Sequence, residues 1–180
     1  MRLFVAIPLP EEVKHRLGDL QQQVEGIRWL STQQSHLTLR FIGEVEREMA
    51  KAVRKRLAAI QSPPFTINLD ALGGFPISGF PRVLWVGVER EPSLLKLQEK
   101  VERACIDAGL EPDRRNFRPH ITLGKVKGAS RKDVLSFIHQ HKLFRVENIR
   151  ISEFVLYSSR LHPEGAIHKP LERYSLERNT

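Results

Sequence analysis

The tetrapeptide HLTL at residues 36–39 recurs as HITL at residues 120–123, once in each half of the 180-residue chain. Both copies have the pattern His-x-Thr-aliphatic. Histidine exchanges a proton near neutral pH, because its unperturbed pKa is about 6.5. In an extended strand the side chains alternate with period two, so the threonine hydroxyl shares the face of the histidine. The two copies therefore predict two halves of one site.

The segments around the two motifs follow the same order of strand, helix, motif strand, helix and strand. In the first half the pattern predicts strands at 2–7, 35–42 and 65–72 and helices at 10–24 and 49–60, with a Gly/Pro-rich loop at 73–81. In the second half it predicts strands at 82–88, 117–126, 144–157 and 169–176 and helices at 92–105 and 131–138. Gly26 and Gly109 are the expected ends of the first and third helices, and Ser130 with Asp133 resembles a capping box.

This order predicts an α+β fold. A repeat of about 80 residues is too long for a solenoid and indicates two fused lobes, roughly residues 1–80 and 81–180. Each lobe is expected to be a mainly antiparallel sheet backed by helices, with the motif strands facing each other across a central groove. The strands on either side of the 73–81 loop look interleaved, so residues 1–180 are interpreted as a single catalytic domain.

Composition limits the classes of partner and compartment. The formal net charge is +8, with 29 Lys+Arg against 21 Asp+Glu, which favours polyanionic partners. Cys105 is the only cysteine, so no disulfide can form within the chain, and a reducing compartment, the cytoplasm, is expected. The apolar run at the N-terminus stops at Pro8, too short for a membrane span, and lacks a small-residue cleavage site.

The alternation predicts that His36, Thr38 and Arg40 share one strand face, as do His120 and Thr122 on the other motif strand. Two facing imidazoles can divide the work of phosphodiester cleavage, one accepting a proton from the attacking oxygen and the other donating one to the leaving oxygen. The threonine hydroxyls can donate to the phosphate oxygens as charge develops there.

Other site types have little support. A single His-x-Thr on a strand usually has no function, but two matched copies in equivalent positions favour a functional site. No second metal-ligating residue type stands two to four positions after either motif histidine. Cys105 lies in an apolar helical stripe and is interpreted as a buried thiol. The remaining histidines are expected on the solvated surface: His15, His139, His141, His162 and His168.

The motif segments HLTLRFIGE and FRPHITLGKV, the RLFVAI start, PRVLWVGV and LYSSRL resemble the 2H phosphoesterase superfamily. The chain looks most like the RNA 2′,3′-cyclic phosphodiesterases, also called 2′-5′ RNA ligases of the LigT type. The resemblance implies a bilobal fold with pseudo-twofold symmetry and a water-filled groove. It further implies hydrolysis of a ribose 2′,3′-cyclic phosphate to a 2′-phosphomonoester without metal or any other cofactor.

By the same resemblance His36 would be the proton donor and His120 the proton acceptor, while Thr38 and Thr122 would hold the phosphate. Ser159 in LYSSRL would border the groove. Arg118 is either a phosphate or base contact or a surface arginine. The chain departs from the family at Gly124-Lys125, where Ala-Arg is frequent, and at His168, where an aromatic residue is frequent. For Phe4 and Trp85, base stacking and core packing are both open.

The expected partner is RNA with a 2′,3′-cyclic phosphate end, such as tRNA fragments, or a cyclic nucleotide, bound by a monomer away from any membrane. ATP-independent 2′-5′ ligation is the reverse reaction, and 2′-5′ oligonucleotides or cyclic ADP-ribose phosphates are alternative substrates. A non-catalytic RNA-binding module is the alternative from a different class. It would use the basic residues around the second motif, Arg114, Arg115, Arg118, Lys125, Lys127, Arg131 and Lys132.

Overall fold

The computed structural model describes residues 1–21, 24–76 and 78–176. The strands are β1 (Arg2–Pro8), β2 (Ile27–Trp29), β3 (His36–Glu44), β4 (Phe65–Phe75), β5 (Val83–Val88), β6 (His120–Val126), β7 (Arg145–Ile151), β8 (Glu153–Arg160) and β9 (Ile167–Ser175). The helices are α1 (Glu11–Leu20), α2 (Arg47–Ala58), α3 (Pro92–Ala108) and α4 (Arg131–Gln140), with a 3₁₀ turn at Thr32–Gln34.

The strands form two antiparallel sheets, one in the order β3-β1-β8-β9 and the other in the order β2-β6-β5-β4-β7. The predicted α+β fold with two antiparallel sheets and helices is confirmed. Each half of the chain supplies strands to both sheets, since β2 pairs with β6, whereas β8 pairs with β1.

Local sequence signals account for the boundaries of two helices, α3 and α4. α3 begins at Pro92, where the side chain of Glu91 accepts a hydrogen bond from the Leu94 N–H, and ends at Gly109 with φ +112°. Ser130 caps α4 by accepting from the Asp133 N–H, as the capping pattern predicts. The expected length of α1 is wrong, because the helix ends at Leu20.

The predicted single strand at 144–157 is also wrong. The segment is two strands, β7 and β8, which break at Ser152 and belong to different sheets. Buried apolar residues stand close to the break on both sides, Ile151 in β7 and Phe154 in β8, and no glycine or proline separates them. The local pattern therefore shows no interruption where the chain changes sheets.

The two motif strands carry matching bulges. Against β1, strand β3 has an extra residue at Leu39 and another at Ile42, and against β5, strand β6 has an extra residue at Leu123. A bulge reverses the alternation of faces beyond it. The expectation that Arg40 shares the face of His36 is therefore wrong: Arg40 is 8% exposed and its Nε donates to Glu102 of α3.

Candidate active site

Both motif histidines stand at the first residue of a strand. His36 begins β3, which is an end strand of its sheet, and His120 begins β6 of the other sheet. β3 contacts β6, and the charge of His120 acts on His36. The fold thus brings the two motifs together where the two sheets meet, and this region is referred to as the groove.

The two imidazoles are anchored in the same way. His36 Nδ1 lies 2.7 Å from the carbonyl oxygen of Gln34, and His120 Nδ1 lies 2.6 Å from that of Arg118. A carbonyl oxygen only accepts, so each Nδ1 carries the hydrogen and donates it. Nε2 is then the atom that exchanges a proton with a ligand. Each ring is a base when neutral and an acid when protonated.

The surroundings of the two histidines favour neutral rings. Burial lowers the pKa of His36 to about 4, and the charges of His168 and His120 act in the same direction, against the hydrogen bond to Gln34. Burial also lowers the pKa of His120, against the hydrogen bond to Arg118. An anionic phosphate beside the imidazoles would raise both pKa values. Donation by either histidine therefore depends on a bound anion.

The motif threonines lie two residues beyond their histidines and are half-buried. Within residues 1–21, 24–76 and 78–176, neither the Thr38 nor the Thr122 hydroxyl is hydrogen-bonded to another residue. Both hydroxyls remain available to donate to a ligand in the groove.

Aromatic rings surround each histidine. The ring of Phe4, 2% exposed, lies 4.9 Å from His36 and stacks on Tyr157 at 5.1 Å. In the other sheet, Phe75 meets His120 edge-on at 4.9 Å, and Trp85 lies 6.4 Å from it. These rings exclude water from the buried sides of the imidazoles, which is the physical cause of their lowered pKa values.

His168 belongs to this groove, and its predicted place on the solvated surface is wrong. Its ring lies 5.3 Å from that of His36 and 4.8 Å from that of Phe4, edge-on in both cases. Burial, and then the charge of Arg2, lower its pKa. The sequence of β9 alone does not predict this position, because it follows from the pairing of His168 with Ser159 of the LYSSRL segment.

The two remaining predicted substrate contacts differ in placement. Ser159 is half-buried on β8, directly between Arg2 and His168 on the neighbouring strands. The side chain of Arg118 is exposed and makes no ion pair with a described residue. Its backbone carbonyl, rather than its guanidinium, orients His120.

The described part of the chain also bears on three other features: a metal site, a membrane-spanning helix and a reactive thiol. No group of three or more His, Cys, Asp or Glu residues there is arranged to hold a metal ion. None of the helices in these segments is long and apolar enough to cross a membrane. Cys105 is buried, as predicted, and burial raises the pKa of its thiol to about 11.

Known proteins share both the sequence and the fold. The profile of the family described as LigT like Phosphoesterase matches twice, over residues 7–85 and 86–168. The RNA 2′,3′-cyclic phosphodiesterase of Archaeoglobus fulgidus is 30% identical over 174 residues, 95% of this chain and 98% of that protein. That of Aeropyrum pernix is 38% identical over 138 residues, 76% of this chain and 78% of that protein. The apo structure of E. coli LigT has a TM-score of 0.79 at 28% identity and covers 98% of both chains. Further structures show E. coli LigT with 3′-AMP, ATP and phosphate.

Proposed function

Because the chain belongs to the LigT-like phosphoesterase family of 2H enzymes, hydrolases acting on phosphodiester bonds, we propose that it hydrolyses RNA 2′,3′-cyclic phosphate ends to 2′-phosphomonoesters. The observation that carries the proposal is the matched pair of histidines. Each has Nδ1 held by the carbonyl two residues before it, so that both Nε2 atoms are free for proton transfer.

In the proposed reaction His120 Nε2 accepts a proton from water while the water oxygen attacks phosphorus. The bond from phosphorus to O3′ breaks, and protonated His36 donates its Nε2 proton to O3′. Thr38 and Thr122 donate to the non-bridging oxygens. General acid and general base steps are each worth about 10²–10⁴-fold in rate. Exchange of protons with solvent then returns both imidazoles to their starting states.

The substrate itself makes His36 a workable acid. Burial lowers the pKa of His36 to about 4, so the ring is neutral at pH 7. The negative charge of the cyclic phosphate favours the protonated imidazole and opposes this shift. The acid is therefore charged mainly when the phosphate is bound.

We propose that no metal or other cofactor takes part. The support is the ring strain of a cyclic phosphate, which makes O3′ a good leaving group, together with the two proton-transfer groups. The same residues can run the reverse reaction, ATP-independent 2′-5′ ligation. Because water is present at about 55 M, hydrolysis wins unless RNA ends are held close together.

The proposed substrate is RNA, as the names of the relatives state for those proteins and as the net charge of +8 favours. Ser159 and Arg118 are proposed to contact it, Ser159 from the groove and Arg118 from the exposed rim. We propose a monomer acting in the cytoplasm, where the lone buried thiol of Cys105 would stay reduced.

The test is to incubate the protein with a 2′,3′-cyclic nucleotide in EDTA and to identify the product. Release of the 2′-phosphate, lost in His36→Ala and in His120→Ala, is expected. His15→Ala is the matched control, since His15 is exposed on α1, and it should retain activity. No turnover, or turnover that survives loss of both motif histidines, would overturn the proposal. RNA binding without turnover would favour the non-catalytic module.

A further inference from the structure

A row of three polar side chains crosses one sheet at the edge of the groove. Arg2 of β1 stands directly opposite Ser159 of β8, which stands opposite His168 of β9. Direct cross-strand partners share a face, and neighbouring strands are about 4.8 Å apart, so the row spans about 10 Å. The contacts of His168 with Phe4 and His36 show that this face is the one that carries His36.

The donors of this row lack acceptors in the described part of the chain. Arg2 is exposed and has no carboxylate within 4 Å there, and its charge reaches His168. Glu44, the partner of Arg2 on β3, accepts instead from the N-terminal ammonium at 3.1 Å. His168 Nδ1 is buried without a hydrogen-bond partner, which leaves Nε2 as the nitrogen that can reach a ligand, and the Ser159 hydroxyl donates to no described residue.

These donors match an oxyanion. A guanidinium presents a fork of N–H groups, a hydroxyl donates one hydrogen bond, and an imidazole donates one more. A phosphate has enough oxygens to accept from all three, and charge-assisted hydrogen bonds to it are the strong ones. The row is therefore built for a phosphate rather than for a neutral group.

We propose that Arg2, Ser159 and His168 form a second phosphate subsite, which takes the 5′-phosphate of the nucleotide whose cyclic phosphate is attacked. The inference rests on the proposed function, because it defines the subsite relative to His36. The ring of His168 lies 5.3 Å from that of His36, so the subsite adjoins the reacting phosphate. The 5′- and cyclic phosphates of one nucleotide are likewise separated by a single ribose.

The consequence is selection of RNA ends. The last nucleotide of an RNA with a cyclic phosphate always carries a phosphate on its 5′ side. A nucleoside 2′,3′-cyclic phosphate with a free 5′-hydroxyl lacks it. The subsite would thus direct the enzyme to RNA and to 5′-phosphorylated nucleotides.

The test compares two product-like ligands by calorimetry, adenosine 2′-phosphate and adenosine 2′,5′-bisphosphate. A charge-assisted hydrogen bond is expected to make the bisphosphate bind about tenfold more tightly to the unaltered protein. Arg2→Met should remove most of this advantage. Lys169→Met is the control: Lys169 follows His168 on β9, and its side chain lies on the opposite face of the strand. This variant loses the same charge as Arg2→Met but should still bind the bisphosphate more tightly than the monophosphate.

Ser159→Ala is the second variant, and it should reduce the advantage without changing the net charge. Equal binding of the two ligands to the unaltered protein, or an advantage that survives both Arg2→Met and Ser159→Ala, would overturn the subsite. The proposed function is read separately, from turnover of adenosine 2′,3′-cyclic phosphate. If that turnover is absent and the bisphosphate is still preferred through Arg2, the hydrolase proposal fails and the subsite stands.

Discussion

His36 and His120 have the same backbone anchor, and the lowered pKa values of both rings predict the pH dependence of turnover. Burial lowers the pKa of both rings in the free protein, that of His36 to about 4. The kcat/KM profile reports the free protein, and the kcat profile reports the complex, in which the phosphate raises both pKa values. We therefore expect the bell of kcat to lie at higher pH than that of kcat/KM.

The measurement is the rate against pH with a 2′,3′-cyclic nucleotide, below and above saturation. His120→Asn should remove one limb of any residual profile. Coincident bells with both limbs at the ordinary histidine pKa of about 6.5 would contradict the buried, anion-dependent pair.

The low pKa of His36 also predicts a loss of stability in acid. Its unfolded value is near 6.5 and its folded value is about 4, so between these values the unfolded chain binds more protons. The contribution of a neutral His36 is fully present above pH 6.5 and is lost as the pH falls toward 4. A shift of this size corresponds to about 3 kcal/mol.

Urea unfolding at pH 7 and at pH 4 should show that His36→Asn loses less stability on acidification than the unaltered protein does. His15→Asn serves as the control on an exposed face of α1. An identical pH dependence in the unaltered protein and His36→Asn would show that His36 is not held neutral by the fold.

The bulge at Leu39 turns the Arg40 side chain inward, where it links β3 to neighbouring elements through an ion pair and hydrogen bonds. Arg40 Nε lies 2.5 Å from a carboxylate oxygen of Glu102, and its NH2 group donates to the carbonyl of Glu111. Glu102 also accepts from the Asp113 N–H at 2.8 Å. The pair thereby joins β3, α3 and the segment that leads to β6.

Removing one member of a buried ion pair leaves the other charge unpaired, so Arg40→Met is expected to cost about 3–5 kcal/mol. The double variant with Glu102→Gln should cost less than the sum of the single changes. Arg103→Met is the control on the same helix, since its pair with Asp107 is exposed and worth about 0–1 kcal/mol. Equal costs for Arg40→Met and Arg103→Met, measured by urea unfolding, would rule out this link.

Strand β4 supports the His120 half of the groove through a glycine. A Cβ at Gly73 would come 2.4 Å from Trp85 Cη2, so the indole lies directly against the glycine backbone. Gly73→Ala should push Trp85 toward its neighbours Phe75 and His120, lowering both turnover and stability, the latter by about 1–3 kcal/mol.

Gly18→Ala in α1 is the matched change, because its Cβ would meet only Thr32 Cγ2 at an ordinary 3.7 Å. It should leave turnover intact and stabilise the helix by about 0.5–1 kcal/mol. Thermal unfolding and kcat of both variants check the prediction. A Gly73→Ala protein as active as Gly18→Ala would mean that Trp85 does not position His120.

The sequence predicts the individual helices and strands better than it predicts which strands pair. Period-two alternation placed His36 and Thr38 on one face, and the capping pattern gave the start of α4. The bulge that inverts Arg40 depends on the register with β1, which the sequence of β3 does not contain. The position of His168 depends in the same way on the pairing of β9 with β8. The spacing of apolar residues predicts the type of each element, but it does not predict which strands pair with one another.

Across the molecule, the exchange of strands between halves supports the proposal that residues 1–180 are one domain. β2 of the first half closes the second sheet beside β6, and β8 and β9 of the second half complete the first sheet. The two matches of the family profile follow the same duplication, with their boundary between 85 and 86 inside β5. Neither half of the sequence contains the strands of a whole sheet. The groove therefore requires both.

The positive charge predicts how RNA binding depends on salt. Four basic residues after the start of the second motif are exposed, and none is paired with a described carboxylate: Lys125, Lys127, Arg131 and Lys132. Arg115, which precedes the motif, already pairs with Asp113, whose carboxylate lies 3.1 Å from its guanidinium. On single strands each phosphate contact adds about −0.7 to the slope of log K against log salt concentration. The slope should therefore steepen from a mononucleotide to an oligonucleotide ending in a 2′-phosphate, and then level off once the RNA extends past the basic surface.

The measurement is a salt titration of fluorescent oligonucleotides of increasing length. Lys127→Gln with Lys132→Gln should flatten the slope for the longer RNAs by about 0.7 for each lost phosphate contact, with little effect on the mononucleotide. Lys51→Gln is the control, because Lys51 is exposed on α2 and already pairs with Glu48. A slope that is the same for all lengths would mean that the protein holds only the terminal nucleotide, and that the net charge of +8 serves attraction at a distance rather than contact.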